Sequence, residues 1–409
     1  MSKFVRPKKT GVMLLMLVFV VGLLGGCGKS EETTDVSEDV SITDAVADEK
    51  DNIDIDVSDT SQIEEDTEDI VYMKDGKIQD DLNGEWVTPE SAEKRYVSFM
   101  VNNISEAMPQ SGVEEADVIY EMLEEGGITR LLCIFRMDTL ENVEKIGPIR
   151  SARHYFDRKN MEYEGIFVHW GQSIYAQHDF EVLSTLDQID LNGKDSSAAF
   201  RVSRPGKAVE HTGYTSGSNV LSAIESDGFS TTKSDTYESM FSFNYEDTTP
   251  DGTDAIKVTT AYSSSRKPWF EYDSETGLYN RFQYGESQID ENTGNQLAFK
   301  NVIVQFCTHR DMAIDEAGCI DITLSGTGEG YYFSDGKMIP ITWEKIGTGT
   351  HVDFSTANGI FDSVVRTDSN CEFGVTKFYT EDGEELKLNP GKTFVTIFPD
   401  DIKDSVTIE

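Results

Sequence analysis

Residues 116–158 read ADVIYEMLEEGGITRLLCIFRMDTLENVEKIGPIRSARHYFDR. Two apolar runs, ADVIYEML and ITRLLCIF, flank Gly126-Gly127. Val118 and Ile119 ahead of the glycine pair tilt the first run to strand, and the second run is the firmer strand. A turn over Glu124 to Gly127 would join them as a hairpin. A Gly147-Pro148 stop follows, and then a basic segment, although the chain as a whole carries a net charge of -40.

With Ser151 as N-cap, a helix runs to about Tyr163. At ~100° per residue, Arg150, Arg153, His154 and Asp157 fall within one arc, and Ala152, Tyr155 and Phe156 turn inward. Arg130, just past the glycine turn, can converge on the same place. Arg130, Arg150, Arg153 and His154 beside a helix N-terminus form a candidate anion site for phosphate or carboxylate. The other reading makes these arginines structural partners of Asp117, Glu121 and Asp157. His169 and Ser173, at the end of the apolar run IFVHW, and His211 and Tyr214 in EHTGYTS complete a candidate pocket with Asp117 and Glu121.

Outward from this stretch, residues 1–26 form a secretory signal. Lys3, Arg6, Lys8 and Lys9 precede a short apolar core, and Leu24-Gly25-Gly26-Cys27 looks like a bacterial lipobox. The expectation is a lipidated Cys27 at the outer face of the cytoplasmic membrane of a Gram-positive-type bacterium, since more than one acyl chain anchors stably. Residues 27–81 are acidic and nearly free of aromatics, which predicts a disordered tether spanning roughly 40 Å. Its sign argues against nucleic acid, which needs a cationic partner.

The remainder divides into a mixed α/β region, 82–230, and a β-rich region, 231–409. Strands are expected at YVSFMVNN, YEGIFVHW, AIKVTTAY, GLYNRFQY, NVIVQFCT and KTFVTIFP. Asp335-Gly336 and Asp382-Gly383 mark hairpin turns, and SGSNVLSAIES has helical spacing. The fold class is α/β of the α+β type, with layered sheets and helices. Cys133 reads as a core residue, and a Cys307–Cys319 bridge is conceivable beside Cys371. The histidines show no metal-ligand spacing, and no phosphate loop, dinucleotide fingerprint or nucleophile elbow occurs. No metal or cofactor is expected.

MVNNISEAMPQSGVEEADVIYEMLEEGGITRLLCIFRMD, IGPIRSARHYF, IFVHWGQS, HTGYTS, YYFSDGKMIPITWEK and LNPGKTFVTIFP, in this order, resemble the YerB-like bacterial lipoproteins over about residues 82–400. The resemblance implies a layered α/β fold and carries no established activity. Arg130 followed by IGPIR also resembles the arginine-bearing core of LytR–CpsA–Psr phosphotransferases over about 40 residues, but Ser151 stands where that family has an acid. Two functions follow. One is a non-enzymatic, membrane-tethered binding or accessory protein with an envelope anion or a protein as partner. The other is an envelope enzyme acting on phosphorylated glycan or lipid-linked precursors.

Overall fold

In the computed structural model, residues 3–5, 70–312, 318–345, 350–353, 364–367 and 374–409 are described. Cys27, most of the acidic tether and Cys371 lie outside them. Folded chain begins ahead of Leu82. An Asp75-Gly76 turn reverses the backbone, Ile78 pairs with Val87, and Ile78 and Asp80 are buried. The tether expected to reach residue 81 therefore ends earlier, because its last apolar residues join the core.

The central element is an eleven-stranded mixed sheet. From the N-terminal half it takes β1 (Tyr96–Asn102), β2 (Val118–Leu123), β3 (Thr129–Arg136), β4 (Ile166–His169) and β5 (Gln188–Asp190). Helix α1 (His154–Met161) precedes β4, α2 (Ile174–Val182) follows it, and α3 (Gly217–Asp227) follows β5. The second half adds β6 (Thr253–Asp254), then β7 (Lys257–Thr260), β8 (Trp269–Asp273) and β9 (Leu278–Gln283). Next come β10 (Asn301–Cys307), β11 (His309–Asp311), β12 (Ile320–Ile322), β13 (Gly326–Ser334) and β14 (Lys337–Lys345). β15 (Lys377–Thr380), β16 (Thr393–Pro399) and β17 (Val406–Ile408) complete the main elements.

The sheet runs β6-β14-β13-β10-β16-β2-β3-β1-β4-β5, with β15 on β14. One sheet thus crosses both halves of the chain. β16 lies parallel between β10 and β2, with Thr396 opposite both Val304 and Glu121. A second, antiparallel sheet holds β9, β8, β7 and β17 in that order.

Strand alternation sorts the core into two layers. Ile119, Leu131, Cys133, Phe299, Phe394 and Phe398 pack toward the second sheet and α3. Val118, Tyr120, Leu132, Ile134, Val395 and Ile397 pack toward α1. Because both faces are covered, the strands are near-continuous apolar runs. Gly126 and Gly127, at φ 71° and 65°, close the β2–β3 hairpin. Asp335-Gly336 closes β13–β14 with both residues at positive φ, as a tight hairpin requires. Ser216 caps α3 by accepting from the Asn219 N–H, and Gly228 ends it at φ 71°.

Helix α1 departs from expectation. It starts at His154 and has Arg153 as cap with no side-chain cap bond. Residues 150–152 stay extended because the Arg150 N–H donates to Met100 O, the Ala152 N–H to Gly171 O and the Ser173 N–H to Ala152 O. The Ser151 hydroxyl is instead bonded to Trp170 O. The helix also has no solvated face, since every residue from His154 to Asn160 is buried. The β11–β12 hairpin and α2 cover the arc that holds His154 and Asp157, which the sequence offered to an anion.

Candidate functional site

The β2–β3 turn and the cap of α1 bring two of the predicted arginines together. Arg130 ends up on the α1 side of β3, whereas Glu121 and Thr129 point to the other face. An Arg130–Glu121 pair is therefore impossible, and Arg130 meets Glu124 instead, while also donating to Ser151 O. Arg153 reaches Glu124 at 2.6 Å and grips Glu125 with a two-pronged fork, at 2.7 and 2.9 Å. Two guanidiniums thus close on two adjacent carboxylates of the turn. Burial pushes the Glu124 carboxyl up to about 7 against the pull of Arg130 and Arg153. Burial also opposes ionisation of Glu125, but the Arg153 fork outweighs it and holds that carboxyl at about 2.

The other expected partners point elsewhere. Asp117 accepts from Asn83 at 2.7 Å and from the Arg136 backbone N–H. Glu121 pairs with Arg281. Asp157 faces Asp179, and burial together with that neighbour drives its carboxyl well above the usual range. His154 turns away from the arginines, its Nε2 lying 2.9 Å from Asp321 on β12. Burial opposes ionisation of Asp321, yet His154 holds its carboxyl far below the usual range.

The remaining predicted pocket residues do not converge. His169 is buried between Gly171 O (2.9 Å) and the Gln188 amide (2.6 Å), stacked on Phe180. Ser173 caps α2 by accepting from the Ala176 N–H. His211 Nδ1 accepts from the Asn102 amide at 3.0 Å. Tyr214 stacks on Phe200. Cys133, Cys307 and Cys319 are buried, and the conceivable Cys307–Cys319 disulfide is not formed. Among the described residues no cluster of three or more His, Cys, Asp or Glu is placed to hold a metal.

Arg150 differs from its two neighbours. It donates to Glu210 O at 3.3 Å, in the turn Val209–His211. Three cations that sequence reasoning passed over gather round the same turn. Arg201 donates to Val209 O at 2.8 Å and lies 4.7 Å from the Trp170 ring. Arg204 ties His211 O to Ala107, Met108 and Pro109 carbonyls. Lys207 is exposed and, with Arg150, disfavours protonation of His211, whose pKa burial already lowers. Among the described residues no carboxylate comes within 4 Å of Arg150, Arg201, Arg204 or Lys207. The signal was present in FRVSRPGKA, residues 200–208, which holds three cations and no acid.

The family described as "Protein of unknown function (DUF3048) N-terminal domain" matches residues 82–230, and its C-terminal counterpart matches residues 258–361. "Putative lipoprotein YerB" of Bacillus subtilis (strain 168) is 30% identical over 329 residues, 79% of this chain and 87% of that protein. The crystal structure of YerB protein from Bacillus subtilis is similar with a TM-score of 0.64 at 28% identity, over 81% of this chain and 100% of that one. The shared sequence runs the length of the folded region, and the chain belongs to the YerB-like DUF3048 family.

Proposed function

We propose that this chain is a binding or accessory protein, anchored through a lipidated Cys27 at the outer face of the cytoplasmic membrane, that docks an anionic envelope component on the basic corner around Val209–His211. The lipobox Leu24–Cys27 and the name of the Bacillus subtilis relative support the anchor. The observation that carries the binding reading is the set of four cations, Arg150, Arg201, Arg204 and Lys207, without ion-pair partners among the described residues in a chain of net charge -40. Backbone carbonyls orient the three guanidiniums without neutralising them, so their charge remains available to a polyanion. The phosphotransferase reading needs Arg130, Arg150 and Arg153 together around a phosphate, but Glu124 and Glu125 occupy Arg130 and Arg153, and Arg150 turns to Glu210 O.

The test is a thermal-shift titration of the full chain with poly(glycerol phosphate) and with inorganic phosphate. A ligand of the native state raises the melting temperature, and for a charge-driven contact the shift shrinks with salt. The Arg150→Gln/Arg201→Gln/Lys207→Gln variant should keep the ligand-free melting temperature and lose the shift. An equal shift in that variant would overturn the assignment. In cells, Cys27→Ala should move the protein out of the membrane fraction, and retention there would overturn the anchor.

A further inference from the structure

The carboxyl ends of the parallel strands β10 and β16 lie side by side, and the chain leaves them in opposite directions. After β10 it passes into the β11–β12 hairpin, which covers α1 through Asp321 and His154. After β16 it runs through residues 400–405 into β17, which pairs with β7 in the second sheet. Diverging connections of this kind open a crevice beyond the strand ends, where open α/β sheets place ligands.

A cavity of about 260 Å³ occupies that crevice. Phe306 and Trp343 close its floor as almost fully buried side chains, 5% and 3% exposed, and the Trp343 indole is fixed by its N–H bond to Phe306 O at 3.0 Å. Thr323, Ser325 and Thr327 line it with hydroxyls that make no hydrogen bond within the described residues. Asp400 accepts from Thr308 at 2.6 Å and keeps its other oxygen free for an incoming donor. Lys403 is neutralised by Glu329 at 2.9 Å. With two acids against one lysine, the site disfavours an anion. Its volume falls below the roughly 300 Å³ at which drug-sized pockets begin, so the occupant is small.

We infer that this cleft binds a single neutral sugar ring. A pyranose presents several hydroxyls that both donate and accept, matching the Thr/Ser rim and the Asp400 carboxylate. The site lies apart from the basic corner and does not depend on it.

The full chain in detergent micelles, with ¹⁵N-labelled tryptophan, gives four indole signals, one per tryptophan. The Trp343→Phe variant identifies the one that matters. Titration with glucose and with N-acetylglucosamine should shift the Trp343 signal saturably and leave Trp170 in place. Thr327 is exposed, so Thr327→Phe should fold normally and obstruct the mouth, weakening binding about tenfold or more. Thr323→Val/Ser325→Ala, which removes hydroxyls with little change of shape, should weaken it in the same direction. No Trp343 shift with either sugar at tens of millimolar would overturn the proposal. So would a shift that survives in Thr327→Phe, or one produced by sodium phosphate instead of sugar.

Discussion

The carboxylate of Glu121 and the guanidinium of Arg281 meet at 2.6 Å between the two sheets, and neither side chain is exposed. Asn103 and Thr129 donate to the other carboxylate oxygen at 3.0 and 2.9 Å, and Phe270 and Phe394 flank the guanidinium at 4.6 and 4.8 Å. The pair pins β2 of the central sheet to β9 of the second. Removing one partner leaves a buried charge uncompensated, at a cost of about 3–5 kcal/mol. Glu121→Leu alone and Arg281→Met alone should each destabilise by that amount in urea unfolding. The double variant should recover most of it, because an apolar pair carries no desolvation cost. A double variant no better than the worse single would refute this account.

The hairpin turn predicts two opposite pH dependences. Folding raises Glu124 from 4.5 to about 7, so its stabilising contribution is complete below pH 4.5 and lost as pH rises through about 7. Glu125 is lowered from 4.5 to about 2, so its contribution is present above pH 4.5 and lost as pH falls through about 2. Glu124→Gln mimics the neutral carboxyl. It should remove the first dependence and be more stable than the wild type at pH 8, by up to about 3 kcal/mol. Melting curves from pH 4 to 9 decide the matter, and a variant less stable than the wild type at pH 8 would show the ion pair prevailing over burial.

The strands and their turns were legible because apolar runs bounded by glycine and by Asp-Gly record local geometry. The insertion of β16 between β10 and β2 was not, since nothing in KTFVTIFP specifies a partner so distant in sequence. The faces of α1 were misread for a physical reason. Charged side chains at helical spacing suggest a solvated face, yet Arg158, Lys159 and Asp157 are buried because each meets a countercharge or a second carboxyl supplied from elsewhere in the fold or from the next turn. Of the candidate anion site, Arg150 is the arginine that no carboxylate among the described residues neutralises. Glu124 and Glu125 had the right spacing to pair with Arg130 and Arg153, but strand alternation had to be worked through residue by residue before Glu121 could be eliminated.

Gly217 opens α3 where the helix presses on Leu140, the last residue of the one-turn helix Met137–Leu140 after β3. A Cβ there would sit 1.7 Å from Leu140 O and 3.1 Å from the Leu140 side chain. A backbone carbonyl cannot turn aside like a flexible side chain, so α3 would have to move off the core that Val220 and Ile224 enter. Gly217→Ala should therefore destabilise by about 3 kcal/mol despite the better helix propensity of alanine. Gly228→Ala, with open space around its Cβ, tests only the left-handed backbone at φ 71° and should cost about 1 kcal/mol. Equal effects on the two melting temperatures would sink the steric explanation.

Glu162, at the end of α1, accepts from Lys159 and from Lys345 of β14, each at 2.8 Å, and from the Thr376 N–H and hydroxyl at 2.9 and 2.7 Å. All three charged side chains are fully buried. Burial opposes ionisation of Glu162, but the two ammonium groups outweigh it and lower its pKa, so this contribution is present above the ordinary 4.5 and lost as pH falls through the folded value. Glu162→Gln would leave two buried ammonium groups facing each other with no carboxylate. The expected loss is about 3–5 kcal/mol, and it should bring with it early hydrogen exchange across β14. Adding Lys345→Met removes one of the two stranded charges and should restore part of the loss, whereas Lys337→Met, at the half-buried far end of the same strand and paired with Asp254, should restore none. If both second substitutions rescue equally, the stranded charges are not the cause of the destabilisation.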